Sequence, residues 1–542
     1  MPSTYTHVAS EETLQRVATS LERIANQKEL IWDDVNECYT NQSVAAMLAA
    51  QKNGLAYGVS IPKGSATACT KIGANAGIAV PTPGYVGTPA IDPYTQLGPF
   101  THYDVNGYVD ADGTPHVTAI EGDGNFARDG SNGNVWVLAP VLWWLMDESD
   151  PSDVTLSVSD SKISGMGAQP QAYLPDGSLR PYMLYAKYVG SDDDDGKLAS
   201  VSGRKPWNRT ISHNSLITQT ATASTGYSGK SIADDWYLKV MFLVKYATKN
   251  SQSVFAGCTN YNYQYAPTVA ETGVTRVIIS KANAANLTVG STMMLGTHTG
   301  NTDRNTASVY DVFDGLKILR IEDYDTDNSA VYLDTATTFD TATTYLFSTS
   351  PWFSGTLDAV EGDGTLTDAG RSNGHEPYKI QGVECQMGLY EVLGDVIVSG
   401  DATNGWEPCI CYDSANEATS VTANYTHTGK YLTASASTAH HYPLYPSDAG
   451  GLLLGQGDGA SQTTGMCDSQ YTSALGTGTK EWLGGGSLYS GANGGLWYVN
   501  ANNALTNTNW NIGSRLSGWH SLSITSRLPH ARRGAMRHAR ST

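Results

Sequence analysis

Positive charge is scarce in this sequence. Lys and Arg number 33 against 52 Asp and Glu, a formal net charge of −19. That balance argues against a general binder of nucleic acid or of an anionic membrane, and otherwise serves solubility. Charged residues of both signs make up only 16% of the chain. A composition low in charge and rich in Gly, Ser, Thr and Asn suits a β-rich, loop-rich extracellular or virion protein better than a helical cytosolic enzyme. Cysteine is sparse, and the seven residues are scattered: Cys38, Cys69, Cys258, Cys385, Cys409, Cys411 and Cys467. An odd, dispersed set does not read as a disulfide framework. Cys409 and Cys411 are too close for a relaxed disulfide, and no zinc partners flank them. Buried, reduced thiols assembled in a cytoplasm are expected. Long hydrophobic runs are missing too. The stretch 135–146 is too short to span a bilayer, so no membrane insertion is expected. No basic region followed by an apolar run opens the chain, so no signal peptide is expected.

What is abundant is aromatic and turn-forming. Phe occurs 8 times, against 31 Tyr and 12 Trp. Tyr and Trp join an apolar ring to a polar handle and suit binding surfaces.

Along the chain, residues 10–27 read as a helix, with Ser10 as cap and Leu14, Val17, Leu21 and Ile24 at a/d spacing. Such a narrow seam suits a small symmetric bundle. Residues 1–54 are therefore expected to be an attachment segment that meets other virion proteins and joins copies of itself, as a homotrimer or another ring, the alternative being a helix packed on its own domain. Short β-like runs follow from residue 55. Residues 135–146 read as a buried strand or short apolar element, and residues 182–189 as a strand. The clearest helix pattern is 234–250, with Trp236, Val240, Leu243, Val244 and Ala247 on one face and Asp234 as cap. Between residues 267 and 352, short β runs alternate with Gly, Asn and Asp turns, as in a small all-β insertion. Over 353–520 the chain returns to the Gly-rich pattern that precedes residue 267. A basic tail, 521–542, closes the sequence and carries Arg527, Arg532, Arg533, Arg537 and Arg540.

The most informative segment is 482–516, WLGGGSLYSGANGGLWYVNANNALTNTNWNIGSRL. Six of the twelve residues from Asn500 to Asn511 are Asn. A buried strand disfavours Asn, which has four hydrogen-bonding sites to satisfy. A disordered linker would not intersperse Trp497, Tyr498 and Trp510. The pattern suggests a folded scaffold with the Asn side chains turned outward. The expected ligand-binding face is Tyr489, Trp497, Tyr498, Asn500, Asn502, Asn503, Asn507, Asn509, Trp510 and Asn511.

The order of several short motifs resembles the variable proteins of diversity-generating retroelements, in the C-type-lectin-like subtype related to formylglycine-generating enzyme. The matching pieces are Gly382-Val383-Glu384, Gly388-Leu389-Tyr390, Gly394-Asp395-Val396, Gly484-Gly485-Gly486-Ser487 and Asn511-Ile512-Gly513-Ser514-Arg515-Leu516. The helix pattern from Trp236 to Gln252 also fits. The resemblance implies an α+β, C-type-lectin-like domain split into residues 55–266 and 353–520 by the β insertion 267–352. It also implies a variable region at about 484–516. There, error-prone reverse transcription replaces template adenines, and Asn codons begin with two of them. The tail 521–542 then reads as little-selected run-off, or as a basic arm for an acidic partner.

The related enzyme uses a cysteine pair near its corresponding motif, and no Cys follows Cys467 here. Without that thiol there is no nucleophile or copper ligand, so no catalytic residue and no cofactor is expected. Neighbouring His440 and His441 would point to opposite faces of a strand. The acidic run 192–195 lacks the ligand spacing of a Ca²⁺ loop. No metal is expected. The function implied is a phage receptor-binding, tail-fibre adhesin of the virion that recognises a bacterial cell-surface protein or glycan. The alternative is a tail-associated enzyme, either a depolymerase or formylglycine-generating-enzyme-like.

Overall fold

The structure is a computed structural model that describes residues 30–192, 196–223 and 227–518. The expected N-terminal seam at 10–27, most of the acidic run and the basic tail lie outside the described residues. Among those that are described, no helix is long and apolar enough to cross a membrane.

Strand formation follows from alternation. In Tyr57–Pro62 and Asp153–Ser159, the residues Tyr57, Val59, Ile61, Val154, Leu156 and Val158 all turn into the core. β-branched and aromatic side chains at every second position fit a pleated, half-buried surface. Gly58 allows the two strands to close. A Cβ there would meet Ser157 Oγ at 2.5 Å and the Leu156 carbonyl at 2.9 Å. These strands belong to a five-stranded antiparallel sheet that also holds Gly167–Ala168, Trp143–Asp147 and Thr70–Gly73. The apolar run 135–146 is therefore two strands in two sheets. Its first half, Asn134–Ala139, lies in an eight-stranded sheet with Tyr103–Val109 and Met183–Ala186 as neighbours. Leu516–Gly518, near the C-terminus, inserts in this sheet between Met183–Ala186 and Tyr227–Gly229.

Three helices exceed a single turn among the described residues: α1 (Asn41–Ala49), α2 (His213–Ala223) and α3 (Ile232–Tyr246). Helix α3 differs from the sequence expectation in frame and surroundings. Asp234 lies in the first turn and reaches back to the Ser231 backbone N–H at 2.9 Å, while the Asp395 carboxylate accepts from Ile232 N at 2.9 Å. The helix ends where Ala247 enters the left-handed region at φ 49°. All of its residues are buried, so its apolar face is only part of its contact surface. Lys239 and Lys245 can be buried because Asp235 lies 2.6 Å from the first, and Asp92 and Asp363 lie 2.7 and 2.5 Å from the second. The core around α3 joins the five-stranded and eight-stranded sheets to Leu453, Met466, Leu496 and Trp497.

The region expected as an insertion is a six-stranded antiparallel sheet. Its order is Gln264–Tyr265, Leu346–Ser350, Thr292–Gly296, Phe313–Asp323, Asn328–Leu333, Arg276–Ser280. Its core, including Val277, Met293, Ile318, Phe347 and Trp352, continues into Cys258, Tyr261, Met387, Leu389, Leu488 and Trp510 of the surrounding chain. The C-terminal sheet is mixed. Tyr390–Asp401 is flanked by Gly405–Cys411 and Gly478–Gly484, with Val499–Ala501 beyond and Ile512–Gly513 parallel to Tyr390.

The expected α+β, C-type-lectin-like domain is therefore corrected. With 35% strand and 11% helix, the chain is a predominantly β assembly of several sheets around one buried helix, and no C-type-lectin fold is identified in it. The physical reason lies in the residues between motifs. Short Val-, Thr- and Tyr-rich runs bounded by Gly, Asn and Asp make strands and turns, and few stretches are long enough for a helix to nucleate.

Candidate binding surface

The Asn-rich segment is held from both ends. On its N-terminal side, Gly485 and Gly486 leave the sheet at φ +85° and +94°, and Leu488 N then bonds to Gly388 O at 3.1 Å. Gly495 returns the chain so closely over Asp468 that a Cβ would lie 2.2 Å from the carboxylate. That carboxylate receives Ser251 Oγ at 2.6 Å and Trp497 N at 2.9 Å. Burial lifts its pKa to about 7. On the C-terminal side, Arg515 is almost completely buried against Glu391 and donates to the backbone carbonyls of Glu384 (2.9 Å) and Ala186 (3.2 Å). Lys230 also meets the Glu391 carboxylate, at 2.6 Å. Against the penalty of burial, these two cations hold the Glu391 carboxyl down at about 2.

The other motif residues are also framework. The Glu384 carboxylate accepts from Gly355 N at 2.9 Å and Leu357 N at 2.7 Å, pinning the chain where it leaves the six-stranded sheet. Burial and the neighbouring Asp358 carboxylate raise its pKa to about 7.

The ten expected face residues divide by depth. Trp497, Tyr498, Asn500, Trp510 and Asn511 are buried; Asn502, Asn503, Asn507 and Asn509 are half-buried; Tyr489, at 48% exposure, stands out. The expectation that the Asn side chains turn mostly outward is corrected at Asn500 and Asn511, and the aromatic part of the face is corrected for Trp497, Tyr498 and Trp510. The rings and one atom of each of these two amides meet partners inside, while Trp497 Nε1 and Asn511 Oδ1 are buried without a hydrogen-bond partner among the described residues. Lys239 Nζ lies 5.3 Å from the Trp497 ring, and Tyr498 stacks on Tyr390 at 5.8 Å. The Arg304 guanidinium covers Trp510 at 4.8 Å. Asn500 Oδ1 accepts from Asn502 N at 2.8 Å, and Asn511 Nδ2 donates to Tyr489 Oη at 3.1 Å. A partner for part of each amide offsets some of the penalty that makes burial look improbable from sequence.

Two surface clusters remain. In the first, Tyr489 lies 6.3 Å from the Trp510 ring, and Asn509 Oδ1 accepts from Asn305 Nδ2 at 2.8 Å. Asn305 Oδ1 in turn accepts from Trp510 N at 2.8 Å. In the second, Asn502 Oδ1 accepts from Ser473 Oγ at 2.7 Å, and Asn503 reaches the Glu481 carboxyl. Burial raises that carboxyl to about 8, so it is protonated at neutral pH.

Sequence reasoning missed Arg304 and Asn305, which the six-stranded sheet carries across some two hundred residues to buttress Trp510. No linear spacing marks such a contact. It also missed Glu407 and His427. The alternation Glu407-x-Cys409-x-Cys411 does signal three side chains on one strand face, and His427 is the cross-strand partner of Cys409. His440 and His441 part as expected of strand neighbours, His440 bonding Ser469 Oγ at 2.7 Å while His441 faces Asp458 at 3.5 Å. No family model matches the chain, and no curated protein matches it.

Proposed function

We propose that the protein is a receptor-binding adhesin of a virion, of the kind diversified by a retroelement. It holds a bacterial surface protein or glycan on Tyr489 and the half-buried residues Asn502, Asn503, Asn507 and Asn509. One observation carries the reading: depth along the segment follows codon chemistry. Trp is encoded without adenine, so adenine-directed change leaves Trp497 and Trp510 in place, and both are buried anchors. Asn codons begin with two adenines, and four of the six Asn from Asn500 to Asn511 reach the surface. A face whose Trp anchors lie inside while four of its six Asn lie nearer the surface can vary at those four without loss of the scaffold. Adaptable amides beside one exposed Tyr suit recognition of varied polar surfaces, and several copies on a particle strengthen weak single contacts.

The alternative, a depolymerase, separates by product. Purified protein should bind host cells, block adsorption of the particle and release no sugar. Clearing of capsule, or a fall in polysaccharide viscosity, would replace the adhesin reading. In the DNA, a near-copy of the region encoding 484–516 that differs at adenines, beside a reverse transcriptase gene, is the expected companion.

A further inference from the structure

We infer that Glu407, Cys409 and His427 form a binding site for a zinc-type divalent cation, with three protein ligands and a fourth position facing solvent. Among the described residues, this is the one group of three His, Cys, Asp or Glu side chains whose ligand atoms all lie within 4.8 Å of one another. Strand geometry builds it. Glu407 and Cys409 are two apart on Gly405–Cys411 and share a face, and Cys409 pairs directly with His427 on the adjacent strand Tyr425–His427. The Cys409 thiol lies 3.4 Å from His427 Nδ1, and that nitrogen lies 2.8 Å from Glu407 Oε2. A tetrahedral Zn²⁺, with bonds of about 2.3 Å to sulfur and about 2.0–2.1 Å to nitrogen or oxygen, separates its ligand atoms by roughly 3.3–3.7 Å. A modest outward movement of the His427 ring would open that space.

The surroundings are those of a ligand set. Gly429 N donates to Glu407 Oε1 at 2.6 Å, which orients the carboxylate and leaves Oε2 for a metal. Cys409 and Glu407 are buried, whereas the His427 side chain is 57% exposed, so the open side of the cluster faces water. A mixed thiolate, imidazole and carboxylate donor set selects zinc-class ions over Ca²⁺ or Mg²⁺, which favour oxygen ligands alone. Binding releases the thiol proton and replaces the hydrogen bond between His427 Nδ1 and Glu407 Oε2. Cys411, two residues further on, turns its thiol to the Asp413 carbonyl at 3.1 Å and is not part of the set. Cys409 also shares a small hydrophobic core with Leu505 of the Asn-rich segment. Nothing in this site depends on the adhesin reading.

The test is a Co²⁺ titration of the full chain under reducing conditions, followed by competition with Zn²⁺. A thiolate-to-cobalt charge-transfer band should grow to one equivalent and vanish on adding Zn²⁺. It should be lost in Cys409→Ser and kept in Cys411→Ser. Because Cys409 is a core residue whose replacement can disturb folding, His427→Ala supplies the second arm. This residue is exposed, and its loss should weaken Co²⁺ at least ~10-fold while far-UV circular dichroism stays unchanged. No charge-transfer band in the folded wild type would overturn the site. So would an undiminished Co²⁺ affinity in His427→Ala, or a band that disappears with Cys411 rather than Cys409.

Discussion

The residues 500–511 and 512–518 adjoin in sequence but are fixed in different ways. The closing stretch is over-determined. Ile512–Gly513 pairs with Tyr390 and Glu391, Ser514 Oγ donates to Val392 O at 2.8 Å, and Arg515 sits in a buried ion cluster. Leu516–Gly518 completes a sheet whose other strands lie hundreds of residues away. The stretch before it has one short strand and is otherwise held at a few points, chiefly Leu505 and Trp510, both buried. The difference shows how a chain can carry a changeable surface. Register is set by the fixed stretch and a few anchors, and the residues between Leu505 and Trp510 are half-buried or exposed.

The largest effect should come from breaking the fixed side. Arg515→Ala leaves Glu391 buried with Lys230 as its remaining cation, and loss of one partner of a buried charge cluster costs about 3–5 kcal/mol. A large fall in the urea midpoint and in soluble yield is expected, and a mutant as stable as wild type would show that the cluster does not set the register. Next is the anchor Trp510. Its replacement by Ala removes a buried ring from beneath Arg304 and costs about 3 kcal/mol. If Trp510→Ala unfolds no more easily than wild type, the segment is held elsewhere and the contrast between the two stretches fails.

Much of this contrast was legible in the sequence only as position. Motif order marked the segment 482–516, and the strand runs of the six-stranded module were visible from their β-branched content. Depth was not legible. Asn500 and Asn511 differ from Asn507 by the partners that other parts of the chain bring: Asn511 bonds Tyr489, while Asn507 makes no side-chain hydrogen bond among the described residues. The fold class escapes a reading of the sequence for the same kind of reason. Helix α3 has the right periodicity, but the surrounding sheets bury it on every side, and the rest of the chain is strand and turn.

Titration sharpens the comparison at a middle scale. Burial holds the carboxyls of Asp468 and Glu384 at about 7 and that of Glu481 at about 8. The unfolded values are about 3.9 for Asp and 4.3 for Glu. Between roughly pH 4 and pH 8 these three carboxyls therefore bind more protons in the folded state than in the unfolded one, and the stability they contribute falls as pH rises, outweighing the opposite contribution of the buried His102 and His213, whose pKa burial lowers. Glu391, held at about 2, acts oppositely, and its contribution is lost only as pH falls below about 4. Melting temperature should thus be higher near pH 5 than at pH 8. Glu481→Gln keeps a neutral group under Asn503, and it should raise the pH 8 value by about 1–3 °C while flattening the slope. A melting temperature that rises from pH 5 to pH 8 would contradict the protonated carboxyls around the Asn-rich segment.

The smallest effect on stability should accompany the largest effect on binding. Asn507 is half-buried, its backbone N–H closes a turn to Ala504 O at 2.9 Å, and its amide holds nothing else among the described residues in place. Tyr489 is half exposed and gives the first surface cluster its ring. Asn507→Ala should move stability by no more than about 0.5 kcal/mol, the usual range for a surface change. Tyr489→Ala should cost somewhat more, because the Asn511 amide loses its partner. Each should lower adsorption to host cells, and the double mutant should lower it further. The matched control is Asn500→Ala, which lies beneath the surface and braces Asn502 N. It should lower the melting temperature more than Asn507→Ala does. If Asn507→Ala and Tyr489→Ala leave adsorption intact while folding is preserved, the surface between the anchors is not the recognition face. If Asn507→Ala instead destabilises as much as Asn500→Ala, depth does not separate changeable from fixed positions, and the division drawn along this segment is wrong.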